Sequence, residues 1–189
     1  NILSILTNMN PWWNTGVLPK VYNKSFKRNG YYTCKKAIEN DIRRIVVMSG
    51  ARRTGKTTIM YQLIADLLDS GVKPQNILFF TFDHPVIRAT RVDEVLNIYK
   101  NNICSDEEFY LFVDEVQFDK DWTNYLKMAY DMNPGMKAVA TGSASAVVED
   151  NVRESGAGRW TVIRIPTLSF YEYCEIIGIT GNIDCEDVF

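Results

Sequence analysis

The residues Met48–Leu63, MSGARRTGKTTIMYQL, place two glycines and a lysine between an apolar run and a helical pattern. The preceding run, RRIVVMSG, is rich in β-branched residues and ends in glycine, which is typical of a buried strand. After the lysine, Ile59, Leu63 and Ile64 share one helical face, and Gly71 ends the pattern. A buried strand that passes into an amphipathic helix predicts the first half of a βαβ unit.

Apolar runs and helical patterns continue to alternate along the chain. The predicted strands are RRIVVMSG, NILFFTF, EFYLFVDE, KAVATGS and WTVIRIP. The predicted helices are KTTIMYQLIADLLDSG, RVDEVLNIYKN, DWTNYLKMAYDM and SFYEYCEII. This alternation predicts an α/β fold, in which five parallel strands are covered by helices on both faces.

Residues 1–42 differ from this pattern, because they are rich in proline, glycine and aromatic residues and have no clean period. We interpret them as an N-terminal extension that packs on a core domain of residues 43–189, with a short helix near CKKAIEND. The first residue is asparagine rather than methionine. We therefore expect the chain to be a piece of a longer protein.

The composition is typical of a soluble globular protein, with 46% hydrophobic residues, 23% charged residues and a net charge of -2. This balance gives no general attraction to nucleic acid or to an anionic membrane, and no apolar run approaches the ~18 residues of a membrane span. The four cysteines, Cys34, Cys104, Cys174 and Cys185, form no CxxC pair, and the chain has one histidine. We expect reduced thiols, no zinc site and a cytoplasmic protein.

Gly50, Gly55, Lys56 and Thr57 fit the spacing GxxxxGK[ST], with a strand before them and a helix after them. Glycines allow a turn whose backbone N–H groups point inward at the positive end of the helix dipole, an arrangement that favours phosphate. Lys56 would meet the β and γ phosphates, and the Thr57 hydroxyl would bind the accompanying Mg²⁺. The alternative is a glycine turn that caps a surface helix. The predicted nucleotide contacts are Gly50, Arg53, Thr54, Gly55, Lys56, Thr57 and Thr58.

The strand EFYLFVDE ends in two carboxylates, Asp114 and Glu115, which we call the acidic pair. They lie at the sheet edge that would carry the loop of residues 50–57, which we call the phosphate loop. Asp114 could hold Mg²⁺ through water, and Glu115 could orient and deprotonate an attacking water. Acidic residues also end strands simply because they are soluble there. The functional interpretation of this pair therefore depends on the phosphate loop beside it. The strand NILFFTF comes between the loop and Asp114 in sequence, which favours ATPases with a catalytic glutamate over GTPases and nucleotide kinases.

Polar residues follow two further strands. Thr141 and Ser143, in KAVATGSASA, could bond the γ phosphate or the attacking water, or they could form a turn that caps the next helix. Asp83 follows NILFFTF and would face the same sheet edge. His84, which precedes a proline, is interpreted as a turn residue rather than a base.

Two features of the N-terminal segment have alternative interpretations. The pair Trp12 and Trp13 could contact adenine or a partner, and we interpret it as buried packing. The run YNKSFKRNGYY mixes basic and aromatic residues, which suits single-stranded nucleic acid, although a solvated face explains it equally well. Nucleic acid is therefore a weakly supported partner.

Taken together, these segments resemble a family of prokaryotic AAA-type ATPases within the P-loop superfamily. The resemblance runs through NPWW, GARRTGKTT, FTFDHP, LFVDEVQ, ATGSAS and GRW with PTLSFYEY, so it covers nearly the whole chain. It implies a P-loop NTPase fold with strand order 5-1-4-3-2 and a domain that binds and hydrolyses ATP. Family members usually continue into a C-terminal domain of unsettled role, and this chain stops about where that domain should begin.

The resemblance also implies roles for individual residues. Lys56 and Thr57 become phosphate and Mg²⁺ ligands, Asp114 a second Mg²⁺ ligand, and Glu115 the catalytic carboxylate. Ser143, or Thr141 in its place, becomes the phosphate sensor. Arg159, in GAGRW, is the arginine favoured for sensing phosphate or acting as an arginine finger, and Arg153 is its rival. The sequence contains no evident separate second-sensor arginine, which argues against a standard ring-forming mechanism.

The sequence thus predicts a Mg²⁺-dependent ATPase that drives or switches a protein partner or a missing C-terminal domain, either as a single chain or as a homo-oligomer. Its catalytic residues would be Lys56, Glu115, Ser143 and Arg159. The main alternative is a nucleotide-gated binding module that holds ATP and hydrolyses little of it. A phosphotransferase is a third candidate, but it needs an arginine-rich lid that we do not locate.

Overall fold

Five parallel strands form one sheet in the computed structural model, which describes residues 1–143 and 158–179. They are β1 (Ile45–Gly50), β2 (Ile77–Thr81), β3 (Phe109–Asp114), β4 (Met136–Ser143) and β5 (Trp160–Arg164). Their spatial order is β2-β3-β4-β1-β5, which is the predicted order 5-1-4-3-2 taken from the opposite edge. All four neighbouring pairs are parallel, so the predicted α/β class and strand order are confirmed.

Helices connect these strands and cover the sheet. They are α1 (Ile2–Met9), α2 (Trp12–Thr15), α3 (Asn29–Glu39), α4 (Lys56–Asp69), α5 (Pro85–Arg88), α6 (Val92–Asn102), α7 (Trp122–Met132) and α8 (Phe170–Ile176). The four long helical patterns of the sequence all form helices. The helix predicted near CKKAIEND begins earlier, at Asn29, and α1 was not predicted. Within the described ranges, no helix has the length and apolar character needed to cross a membrane.

The hydrophobic core lies on both sides of the central strands. All six residues of β1 are buried, as expected for a strand without polar alternation that is covered on both faces. From α4, Ile59, Leu63 and Ile64 contribute to this core, which confirms the helical face seen in the sequence. The first strand and the following helix are therefore fixed by packing on either side of the phosphate loop.

The N-terminal segment covers the outer edge of β2. The side-chain amide of Asn10 donates to the carbonyl of Phe79 at 2.8 Å and accepts from its N–H at 2.6 Å. The indole N–H groups of Trp12 and Trp13 both donate to the carbonyl of Ile77, at 3.0 and 2.8 Å. An edge strand has unpaired backbone groups, and these side chains satisfy them. The tryptophan pair therefore contributes buried packing, as interpreted from the sequence.

The parallel arrangement brings the carboxyl ends of the strands to one edge of the sheet. Gly50, Asp114 and Ser143 stand at the ends of β1, β3 and β4. β4 lies between β1 and β3, so a strand does separate the phosphate loop from the acidic pair. The strand that separates them in space is β4. The strand that lies between them in sequence, β2, is the outermost strand of the sheet, next to β3.

Candidate functional site

The phosphate loop depends on glycine at two positions for different reasons. A Cβ atom on Gly50 would lie 2.3 Å from the carbonyl oxygen of Ile165, so only glycine fits there. Gly55 has a φ of +87°, a left-handed conformation that precedes the first turn of α4. Between them, Arg53 adopts a φ of 64°, which costs a residue with a side chain about 1 kcal/mol. The loop is thus held in a strained and specific shape.

Lys56 is buried within this loop. Its ammonium donates to the carbonyls of Gly50 at 3.0 Å and Ala51 at 2.8 Å. Burial lowers the pKa of Lys56, while the nearby charges of Glu115 and Asp114 act in the opposite direction. The fold therefore places a cation at the amino end of α4, between the loop and the acidic pair.

Thr57 and Asp114 come together across the gap between α4 and β3. The Thr57 hydroxyl lies 3.0 Å from Oδ2 of Asp114 and 3.2 Å from Oδ1. The hydroxyl of Thr141, from β4, also donates to Oδ1 of Asp114. Burial raises the pKa of Asp114, and the hydrogen bonds from Thr141 and Thr57 oppose that rise.

This pair of oxygen donors fits Mg²⁺. Magnesium is usually held by one or two protein oxygens, together with substrate phosphates and water, rather than by a cage of protein carboxylates. Thr57 and Asp114 would supply the protein's share of the ligands.

Glu115 follows Asp114 in an unusual backbone conformation, with a φ of 56° and a ψ of 46°. Its N–H donates to the Thr141 hydroxyl at 3.1 Å, and its carboxylate accepts from the side-chain amide of Gln117. The other end of the Gln117 amide accepts from the N–H of Ser143 at 3.1 Å. The structure thus joins both predicted sensor residues to the acidic pair, Thr141 by its side chain and Ser143 by its backbone.

Two cavities adjoin these residues. The first, of about 440 Å³, is lined by Thr57, Asp114 and Glu115 together with Asp83, Tyr61 and Phe79. The second, of about 380 Å³, includes Arg53, Thr54, Gly55 and Thr58 from the loop region, and Phe26, Ile59, Leu168 and Ile176 on its apolar walls. Four predicted nucleotide contacts therefore face the second cavity: Arg53, Thr54, Gly55 and Thr58. The predicted metal ligands, Thr57 and Asp114, face the first cavity.

The structure places Arg159 away from this site. Arg159 precedes β5, its carbonyl accepts from the N–H of Ile45 at the start of β1, and its guanidinium contacts Asp131 at 3.0 Å. The phosphate loop follows the other end of β1, about 17 Å away at 3.3 Å per residue. Phosphate sensing by Arg159 within its own chain is therefore contradicted, because parallel pairing with β1 fixes it at the opposite edge. Its rival, Arg153, lies outside the described residues.

Arg28 contacts the loop from outside it, and sequence reasoning missed it. Its guanidinium donates to the carbonyl of Thr54 at 2.6 Å and to both carboxylate oxygens of Glu172 at 2.8 Å. It also donates to the carbonyls of Pro166 and Thr167 at 3.2 Å. Only its position in the basic run YNKSFKRNGYY could have drawn attention to it. Gln117 was missed too, although it ends the quoted segment LFVDEVQ.

The residues after β2 have mainly structural contacts. His84 is the N-cap of α5, and its Nδ1 accepts from the N–H of Val86 at 3.3 Å. This agrees with its interpretation as a turn residue. Asp83 lines the first cavity and lies 3.5 Å from the guanidinium of Arg88. The structure therefore places Asp83 beside the site, at the sheet edge that the sequence predicts.

Residues 42–174 match the family model described as an AAA domain. An uncharacterized protein of Methanocaldococcus jannaschii is 30% identical over 177 residues, which cover 89% of this chain and 36% of that protein. An uncharacterized protein of Haemophilus influenzae is 29% identical over 135 residues, which cover 68% of this chain and 32% of that protein. The chain thus spans about a third of the length of these relatives.

Solved structures share the fold. AMPPCP-bound DnaA from Aquifex aeolicus superimposes with a TM-score of 0.56 at 16% identity, over 93% of this chain and 57% of that chain. A DNA replication initiation factor gives a TM-score of 0.57 at 15% identity, over 86% and 54% of the two chains. At these identities the likeness concerns the fold alone. The family match supports nucleotide binding by this chain.

Proposed function

Because this chain belongs to the family of AAA-type P-loop ATPases, we propose that it binds ATP with Mg²⁺ and hydrolyses it to ADP and phosphate. One observation carries the proposal: Thr57, at the start of α4, is hydrogen-bonded to Asp114, and Glu115 is the next residue in the chain. A purely structural glycine turn would not require a buried carboxylate at its hydroxyl.

The phosphate loop would hold the triphosphate. Its backbone N–H groups and the amino end of α4 provide partial positive charge, and Lys56 adds a full one. Thr57 and Asp114 would hold Mg²⁺, which offsets phosphate charge when bound. The adenine base of ATP would enter the second cavity, because that cavity is lined by Arg53, Gly55 and other loop residues and has apolar walls.

Glu115 would act as the general base. Its carboxylate would accept a proton from a water molecule as the water oxygen attacks the γ-phosphorus. The bond between the γ-phosphorus and the bridging oxygen breaks, and ADP leaves with that oxygen. Lys56 would stabilise the negative charge that develops on the phosphate oxygens. Thr141 would hold Glu115 and Asp114 in fixed relative positions, because its hydroxyl is hydrogen-bonded to both residues.

Further parts of the proposal concern the whole protein. Residues 43–189 would form the ATPase domain and residues 1–42 its extension, and the nucleotide state would act on a protein partner or on another part of a longer chain. Arg159 could serve as an arginine finger only for a second copy of the chain, because its position excludes its own loop. Such an arrangement would need a homo-oligomer.

The glutamate variant separates hydrolysis from the alternative, a nucleotide-gated module with little turnover. We expect Glu115→Gln to lower the steady-state ATPase rate by about 10²- to 10⁴-fold and to leave the Kd for Mg-ATP within about threefold. The matched control is Glu39→Gln, on the exposed end of α3, which should change neither quantity. Turnover that is negligible in the unaltered chain, or retained in Glu115→Gln, would contradict the proposed hydrolysis.

A further inference from the structure

Gln117 lies in the short 3-10 turn Val116–Phe118, directly after the acidic pair. Its side-chain amide bridges two elements: the nitrogen donates to the Glu115 carboxylate, and the oxygen accepts from the N–H of Ser143 at the end of β4. The side chain is half-buried, so both contacts are partly shielded from water. No other side-chain hydrogen bond to the Glu115 carboxylate is present in the described residues.

The chemistry of the two partners fixes the orientation of this amide. An ionised carboxylate only accepts hydrogen bonds, and a backbone N–H only donates them. The amide nitrogen must therefore face Glu115 and the amide oxygen must face Ser143. Turning the amide over would break both bonds, so a glutamine at this position holds one arrangement.

The backbone at Glu115 is already tightly constrained. Its left-handed conformation is unfavourable for a residue other than glycine. The Glu115 N–H is held by the Thr141 hydroxyl at 3.1 Å, and its carbonyl accepts from the N–H of Phe118 at 3.2 Å. The backbone contacts do not restrict rotation of the Glu115 side chain. The hydrogen bond from Gln117 does restrict it. Strain of this kind persists where the surrounding structure holds the residue in place.

We propose that Gln117 is a positioning residue, which aims the Glu115 carboxylate and couples its position to the end of β4. This inference rests on the proposed role of Glu115 as the general base. With one carboxylate oxygen engaged by Gln117, the other oxygen stays available to accept from water. Because the same amide holds the Ser143 N–H, a movement at the end of β4 would also move the base.

Two substitutions of Gln117 remove its bond to Glu115, one together with the bond to Ser143 and one without it. Gln117→Leu removes both bonds while retaining most of the side-chain volume. Gln117→Glu retains an acceptor for Ser143, but it removes the donor to Glu115 and places a like charge beside it. Misplacing a reacting group by about 1 Å can cost about 100-fold. We therefore expect both variants of the full chain to lose about 10- to 100-fold in kcat, with KM and the Kd for Mg-ATP within about threefold of the original.

A double variant tests whether Gln117 acts through Glu115. In a Glu115→Gln background, Gln117→Leu should cause little further loss in single-turnover rate, because the group that it positions is gone. The matched control is Gln75→Leu, since Gln75 also donates a side-chain hydrogen bond, to the carbonyl of Trp13 at 2.7 Å, at a distance from the site. That control should lower stability in urea without changing kcat.

The outcomes distinguish this inference from the function on which it rests. Unchanged kcat in Gln117→Leu, with Glu115→Gln inactive, would overturn the positioning role alone. Equal losses in both backgrounds, or a loss of Mg-ATP binding, would also overturn it, because either result indicates a general structural effect. If Glu115→Gln itself retained full turnover, the proposed general base would be wrong, and the role of Gln117 would fail with it.

Discussion

At the scale of single residues, the phosphate loop shows how one residue type can be required twice for different reasons. Gly50 is required by space, because a side chain would meet the backbone oxygen of Ile165. Gly55 is required by conformation, since its φ is +87° and nothing lies within 4 Å of the position of an added Cβ. Sequence spacing marks both glycines equally, and only the structure separates the two causes.

These causes predict different costs. Gly50→Ala should lower the free energy of unfolding by about 2 to 3 kcal/mol, because backbone atoms must move to relieve the contact. Gly55→Ala should cost only about 1 kcal/mol, which is the strain of the left-handed conformation. Urea unfolding of the two variants beside the unaltered chain measures the difference. Equal losses, or a larger loss for Gly55→Ala, would contradict this explanation of the loop.

At the scale of elements, Arg28 links the segment before α3 to the loop after β1 and to the start of α8. Its partner Glu172 is also the third residue of α8 and takes part in a capping box with Ser169. The hydrogen bonds from Arg28 lower the pKa of Glu172 to about 2, with a further contribution from the Ser169 backbone and against a smaller effect of burial. This ion pair connects the phosphate loop to the helix that follows the last strand.

The lowered pKa predicts a pH dependence. Because the folded-state pKa lies below the unfolded value of 4.5, the Glu172 contribution is fully present above that pH and is lost as the pH falls toward about 2. Glu172→Gln retains an acceptor for the helix cap but removes the charge, so we expect a loss of about 2 kcal/mol at pH 6 to 7. Denaturation at several pH values should show this difference shrinking below pH 4. A difference that stays constant down to pH 2.5 would contradict the proposed ion pair.

Much of the fold could be predicted at this scale because the deciding signals are local. Each strand is an apolar run, and the phosphate loop occupies a short segment with a characteristic spacing. The roles of Asn10 on the edge of β2, of Gln117 and of Arg28 could not be predicted in this way, because each depends on partners that only the folded chain brings close. Arg159 is a different case: it directly precedes the predicted strand WTVIRIP, so the predicted parallel sheet itself implied a position at the end opposite to the loop.

At the scale of the whole molecule, the parallel sheet collects the proposed chemistry at one edge. β1 contributes the loop, β3 the acidic pair and β4 the threonine and backbone N–H that hold that pair. The opposite edge carries Arg159 and its partner Asp131. This polarity separates the proposed nucleotide site from the strand ends that carry Arg159.

Above all, we propose that the loop before α4 binds the triphosphate of ATP through Lys56. Isothermal titration calorimetry of the folded chain with ATP and Mg²⁺ tests it most directly, with Lys120→Ala, an exposed lysine, as the control for Lys56→Ala. We predict one site per chain, an unchanged Kd in Lys120→Ala and at least ~10-fold weaker binding in Lys56→Ala, which corresponds to about 1.4 kcal/mol. Binding of equal strength in Lys56→Ala, or no binding by the folded chain, would contradict the claim.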